Sequence, residues 1–179
     1  SGTAVSLLGH GPADHADVSR YFILVPSEAG LVSGSTLIAV GTAGNTTAAI
    51  NYADAATQTA YWWFMVPSDF GSGALVAQPL WTPAATDGVA HTVRWSFQYQ
   101  EVTSGVDVTS AGTTNTYTGT SATRTINISV TDAGATILTP TNPHVRIRLS
   151  LTRVGADAAD TYVGAVRLFG ILINYTANQ

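Results

Sequence analysis

The chain has 179 residues, of which 45% are apolar and only 10% charged, with a formal net charge of −4. That balance argues against a nucleic-acid or anionic-membrane surface, since both require a dense basic patch. The absence of cysteine excludes disulfides, thiolate metal sites and a cysteine nucleophile, and no apolar run reaches the ~18 residues of a membrane span.

The composition is not that of a disordered chain, which needs low hydrophobicity together with high net charge. Lysine is missing altogether and threonine is abundant, so the surface is expected to be neutral and hydroxyl-rich. Threonine's β-branched side chain also favours pleated sheet. No basic region followed by an apolar stretch opens the sequence, so no secretory leader is visible.

Residues 1–20 carry no sustained period, and Gly9, Gly11 and Pro12 interrupt either regular structure, so this stretch reads as an N-terminal arm. Residues 21–58 hold short candidate strands (to Val25, and Ser35 to Val40) and read as a β-rich connecting segment packed on or between subunits. From 59 onward the pattern is that of a sandwich. Thr59 to Val66 is apolar on both faces, and Ala74 to Trp81 contains Pro79, which suits an edge or a bulge. Val93, Trp95, Phe97 and Tyr99 alternate with polar residues, as do Ile126 and Ile128, and Val145, Ile147, Leu149 and Leu151. This period of two marks strands with one buried face. Val163 to Tyr175 is again apolar on both faces, and any helices are expected to be single turns, as in 54–58 or 157–160. The fold class is all-β: an antiparallel β-sandwich of the jelly-roll kind over 59–179, preceded by an extended arm. Val93, Trp95, Phe97, Ile126, Ile128, Val145, Ile147 and Leu149 should share one core.

Three stretches resemble a β-sandwich family of tailed-phage structural proteins. They are Val66-Pro67-Ser68-Asp69-Phe70, the VRWSFQYQE strand, and a close containing Arg146-Ile147-Arg148-Leu149, Ala159-Asp160-Thr161 and Leu168-Phe169-Gly170-Ile171-Leu172-Ile173-Asn174-Tyr175. In that family a V-P-x-D-[FY] turn, an R-x-R-L strand, an A-D-T loop and an L-x-G-[IV]-x-[IL]-x-Y strand recur in this order, over about two thirds of the chain. Gly11-Pro12-Ala13-Asp14-His15 with Arg20-Tyr21 is similar to a phage-fibre connector. The resemblance implies a non-catalytic virion protein, usually trimeric: a decoration (cement) protein on the capsid exterior bound to the major capsid protein, or alternatively a receptor- or carbohydrate-binding tip of a tail fibre with a host glycan as partner.

Residues able to do chemistry are sparse. His10 and His15 lie five apart in a Gly/Pro-containing stretch and do not share a face as metal ligands must. They read, with Tyr21, as arm contacts. His91 and His144 read as turn residues. No G-x-S-x-G, P-loop or G-x-G-x-x-G occurs, so no catalytic residue, metal ligand or cofactor is assigned. Glu101 is placed to pair with an arginine on a neighbouring strand, and Asp157 and Asp160 to form an Asx-turn. Arg94, Arg146 and Arg148 occupy outward strand positions, suited either to a solvated face or to an acidic partner. Adjacent Trp62 and Trp63 point to opposite faces, so one must leave the core. A trimer interface is expected on one face of strands 59–66 and 163–175, through Tyr61, Trp63, Met65, Leu168 and Leu172. In an antiparallel sandwich a second apolar face needs a cover.

Overall fold

The computed structural model describes residues 18–32, 34–71, 73–85, 88–102, 114–120, 127–128 and 136–178. The strands are β1 (Val18–Leu24), β2 (Gly30–Val32), β3 (Thr36–Thr42), β4 (Asn45–Tyr52), β5 (Thr57–Met65), β6 (Leu75–Pro83), β7 (Thr92–Val102), β8 (Thr114–Thr120), β9 (Asn127–Ile128), β10 (Thr136–Leu138), β11 (Arg146–Val154) and β12 (Val166–Ala177). A single 3₁₀ turn, Pro26–Glu28, joins β1 to β2.

All pairings are antiparallel. One sheet runs β10-β6-β12-β4-β3, with β1 beside β12 and β9 beside β6; the other runs β2-β5-β11-β7-β8. The pairs nest: β4 with β12, β5 with β11, β6 with β9 and β10, β7 with β8. A long hairpin whose successive pairs alternate between two sheets is a jelly roll, as the strand count and patterning predict.

The core is made by alternation along the strands, shifted once at a bulge in β12. β11 buries Ile147, Leu149 and Leu151, β7 buries Val93, Trp95 and Phe97, and β12 buries Val166, Leu168, Ile171 and Ile173. Trp95 bridges the sheets, meeting Tyr52 edge-on at 5.2 Å and Trp81 at 6.1 Å. Its indole Nε1 is buried without a hydrogen-bond partner among the described residues. Five of the eight expected core residues lie fully in this cluster and Val145 packs against its edge. Ile126 and the Ile128 side chain fall outside the described residues.

Two expectations change. Residues 21–58 do not form a separate connecting segment: β1, β3 and β4 belong to one sheet and β2 to the other, and Ile50 and Tyr52 are fully buried. Apart from the β3–β4 hairpin, their partners lie far along the chain, in β5 and β12, where local periodicity carries no information. Pro79 is also not on an edge strand, since β6 lies between β12 and the β9/β10 segments. It falls between the β10 pairing, which reaches Ala77, and the β9 pairing, which begins at Leu80, and it faces Ile171 of β12 on the other side. The arm's residues 1–17 lie outside the described residues.

Candidate functional site

The outer face of the β2-β5-β11-β7-β8 sheet gathers the side chains that sequence parity turns outward. On β5 these are Thr59, Tyr61, Trp63 and Met65. The register sets Ser150 opposite Tyr61, Arg148 opposite Trp63 and Arg146 opposite Met65. On its other side β11 meets β7, with Gln98 opposite Ser150 and Gln100 opposite Arg148. The middle of the sheet is therefore a row of aromatic, guanidinium, amide and hydroxyl groups.

Local geometry fixes the aromatic pair. Trp62 turns inward, 1% exposed, and donates its Nε1–H to the Val25 carbonyl at 2.9 Å. Trp63 is the one that leaves the core. It is 37% exposed, and the Arg146 guanidinium carbon lies 4.6 Å from its ring centroid. Tyr61 leans the other way, over Gly30 of β2. A Cβ on Gly30 would sit 2.1 Å from the tyrosine ring, so only glycine accommodates this pose. Met65 is 55% exposed beside them.

The charges divide into two kinds. Arg94 Nη1 donates to Asp157 at 2.8 Å, a solvated pairing. Asp157 also accepts the Ala159 N–H at 2.8 Å, the expected Asx-turn. That N–H is the main reason its carboxyl titrates below its ordinary range; burial opposes the shift and Arg94 adds to it. By contrast, no described carboxylate lies within ion-pair distance of Arg146 or Arg148. Glu101 does not pair with an arginine: its Oε1 accepts the Thr141 N–H at 2.6 Å and its Oε2 the Thr141 hydroxyl at 2.9 Å.

The expected interface set is split. Tyr61, Trp63 and Met65 share this face. Leu168 is fully buried in the core, and Leu172 lies on the outer face of the opposite sheet, paired with Ile23. The cause is a bulge between Leu168 and Gly170, which changes the parity of β12 halfway along. Strands 59–66 and 163–175 also lie in different sheets, so they cannot present one shared face. Tyr21, 71% exposed, stands on β1 beside Asn174; His10 and His15 lie outside the described residues. Among the described residues no group of three or more His, Asp or Glu is close enough to hold a metal ion.

Sequence reading missed Arg153, which is fully buried. Its Nε and Nη2 donate to the two carboxylate oxygens of Asp160 at 3.0 and 2.9 Å, while Nη1 donates to the Ala53 and Gly164 carbonyls and Nη2 also to that of Tyr162. Every guanidinium donor is thus used. The signal was available: Arg153 continues the inward parity of Ile147, Leu149 and Leu151. The resemblance motifs meet in similar locks. Asp69 of the V-P-x-D-F turn binds Arg20 and accepts the Tyr175 hydroxyl at 3.0 Å. Burial, and then Asp69, push that phenol's pKa up.

No family model and no curated protein sequence matches the chain. Among solved structures it is similar to TmCBM61 in complex with β-1,4-galactotriose, at 9% identity over 88% of each chain with a TM-score of 0.33. It is also similar to a family 11 carbohydrate-binding module from Clostridium thermocellum in complex with a β-1,3-1,4-mixed-linked tetrasaccharide, at 10% identity over 86% of this chain and 94% of that one, with a TM-score of 0.35. Both scores are low, and neither likeness establishes a shared function.

Proposed function

We propose that this chain is a non-catalytic carbohydrate-binding module whose binding face is the outer surface of β5, β11 and β7. The observation that carries the reading is the exposed Trp63 beside Tyr61, in register with Arg148, Ser150 and Gln98. Pyranose C–H faces gain dispersion contact from aromatic rings. Their hydroxyls accept from guanidinium and amide N–H groups and exchange hydrogen bonds with serine and threonine. A sheet face studded with both kinds of group suits an extended sugar chain. Catalysis has little support here, because Asp69, Asp157, Asp160 and Glu101 each hold a structural contact. The phage-fibre setting implied by the sequence resemblance accords with this reading and forms part of the proposal.

A glycan array probed with the purified protein tests it. Retention of a defined glycan class, reduced about tenfold or more in Trp63→Ala and Tyr61→Ala with thermal stability kept, is the expected result. An array with no retained glycan would remove the reading.

A second reading, a homotrimeric virion decoration protein, is favoured by one observation. Tyr21 and Ile23, 71% and 45% exposed, adjoin Leu172 on the outer face of the other sheet, an apolar patch suited to burial between copies. Light scattering near 56 kDa, three times the 18.6 kDa chain, is its expected result; a stable monomer at micromolar concentration would exclude it.

A further inference from the structure

We infer that the bound saccharide is acidic, with its carboxylate held between Arg146 and Arg148 and its neighbouring ring packed at Trp63 and Tyr61. This inference rests on the carbohydrate-binding reading and adds the chemical class of the ligand.

Charge placement is the first support. The whole chain carries a net charge of −4, yet Glu101 is the one acidic residue in the five strands of this sheet. It faces away from the platform, at the register of Ile147, and is engaged by Thr141. The outer face is therefore locally cationic on an acidic protein. Arg20, Arg94 and Arg153 each hold an aspartate, whereas Arg146 and Arg148 of the middle strand β11 hold none among the described residues.

Geometry is the second. Arg146 and Arg148 are two apart on one strand and share its outer face, so their Cα atoms are roughly 7 Å apart. The Arg146 guanidinium carbon lies over the Trp63 ring, 4.6 Å from its centroid. Cation–π attraction holds the guanidinium on this face without using up its N–H donors, and a carboxylate can take up such a fork bidentately. The guanidinium also covers part of the indole surface, so the ligand that gains most is one engaging the guanidinium and the aromatic pair together. A carboxylate on a pyranose ring provides both in one unit. A neutral sugar would leave the two charges uncompensated.

The experiment is a set of paired ligands: uronate- and sialate-containing oligosaccharides, each beside its carboxyl-reduced counterpart, with poly-glutamate as an acidic peptide control. Binding to intact protein is measured by calorimetry at two salt concentrations. The expected result is an acidic member bound about tenfold more tightly than its reduced partner, with the preference shrinking in salt. Arg146→Gln with Arg148→Gln should erase the preference while leaving the weaker neutral binding, whereas Trp63→Ala should weaken both. Equal affinity for acidic and reduced members would overturn the acidic assignment and leave the carbohydrate reading standing. Binding of neither would overturn both. Poly-glutamate bound as tightly as the best saccharide would overturn it in favour of an acidic protein partner.

Discussion

At the scale of single residues, the buried Arg153–Asp160 pair and the indole of Trp95 carry the most stability risk. Asp160 is the acid that neutralises a fully buried guanidinium; Asp54, at 3.8 Å, is a distant second partner. Asp160→Asn should therefore cost about 3–5 kcal/mol, because it leaves a charge buried without compensation. Denaturant unfolding checks this, and a loss under ~1 kcal/mol would show that the Asp54 carboxylate suffices. Trp95→Ala should cost about 3–5 kcal/mol by opening a cavity between Tyr52 and Trp81. Asp157 predicts a pH effect. Its folded-state pKa lies below the ordinary 3.8, so the stabilisation it gives is whole above that value and is lost as pH falls through the folded-state pKa. The stability margin of the native chain over Asp157→Asn should therefore narrow as the solution is acidified below about pH 4.

At the scale of elements, the β12 bulge decides which residues face the core. Gly170 has a φ of +155°, and a Cβ there would come within 2.9 Å of both the Leu24 carbonyl and Ile23 Cγ2. Gly170→Ala must either strain the bulge or push β1 away from β12, at a cost of about 1–3 kcal/mol. Hydrogen exchange should show faster exchange along β1 than along β11 in that variant. Equal protection would mean that the bulge relaxes without moving its neighbour. On the other sheet, Gly30→Val should displace the Tyr61 ring. If the platform binds sugar, affinity should fall with little loss of stability, since β2 is a three-residue edge strand.

At the scale of the molecule, the jelly roll is closed by distant partners. Tyr52 pairs with Val166 and Val18 with Ala177. Loop closure must precede the contacts that reward it, so refolding should be slow, in about milliseconds to seconds. Stopped-flow tryptophan fluorescence would report it, since Trp62, Trp81 and Trp95 are buried.

Much of this was legible from period-two patterning. Val93, Trp95 and Phe97 fall inward as their alternation requires, and Arg94, Arg146 and Arg148 outward. The parity rule also showed that one of Trp62 and Trp63 had to face out, but not which, because that depends on the Val25 carbonyl 37 residues earlier. It failed at Leu168 and Leu172, where one extra residue resets the alternation. It gave no warning that 21–58 belongs to both sheets, since pairing between distant strands leaves no local trace. The candidate platform is half visible: parity turns its aromatics outward, towards a subunit contact, and its arginines towards solvent or an acidic partner, but only the register sets the two groups side by side.

The pairing of β1 with β12 places Val18 next to Ala177, so the outer ends of the first and last strands of the sandwich lie side by side on one sheet. Ends that meet can be joined. A circular permutant linking 177 to 18 through a short glycine-serine bridge, and opened in the tight Thr42–Asn45 turn between β3 and β4, should keep a cooperative unfolding transition. The same proximity would let the sandwich be spliced into a surface loop of an unrelated host protein as a self-contained insert, with its Trp63 face still presented outward.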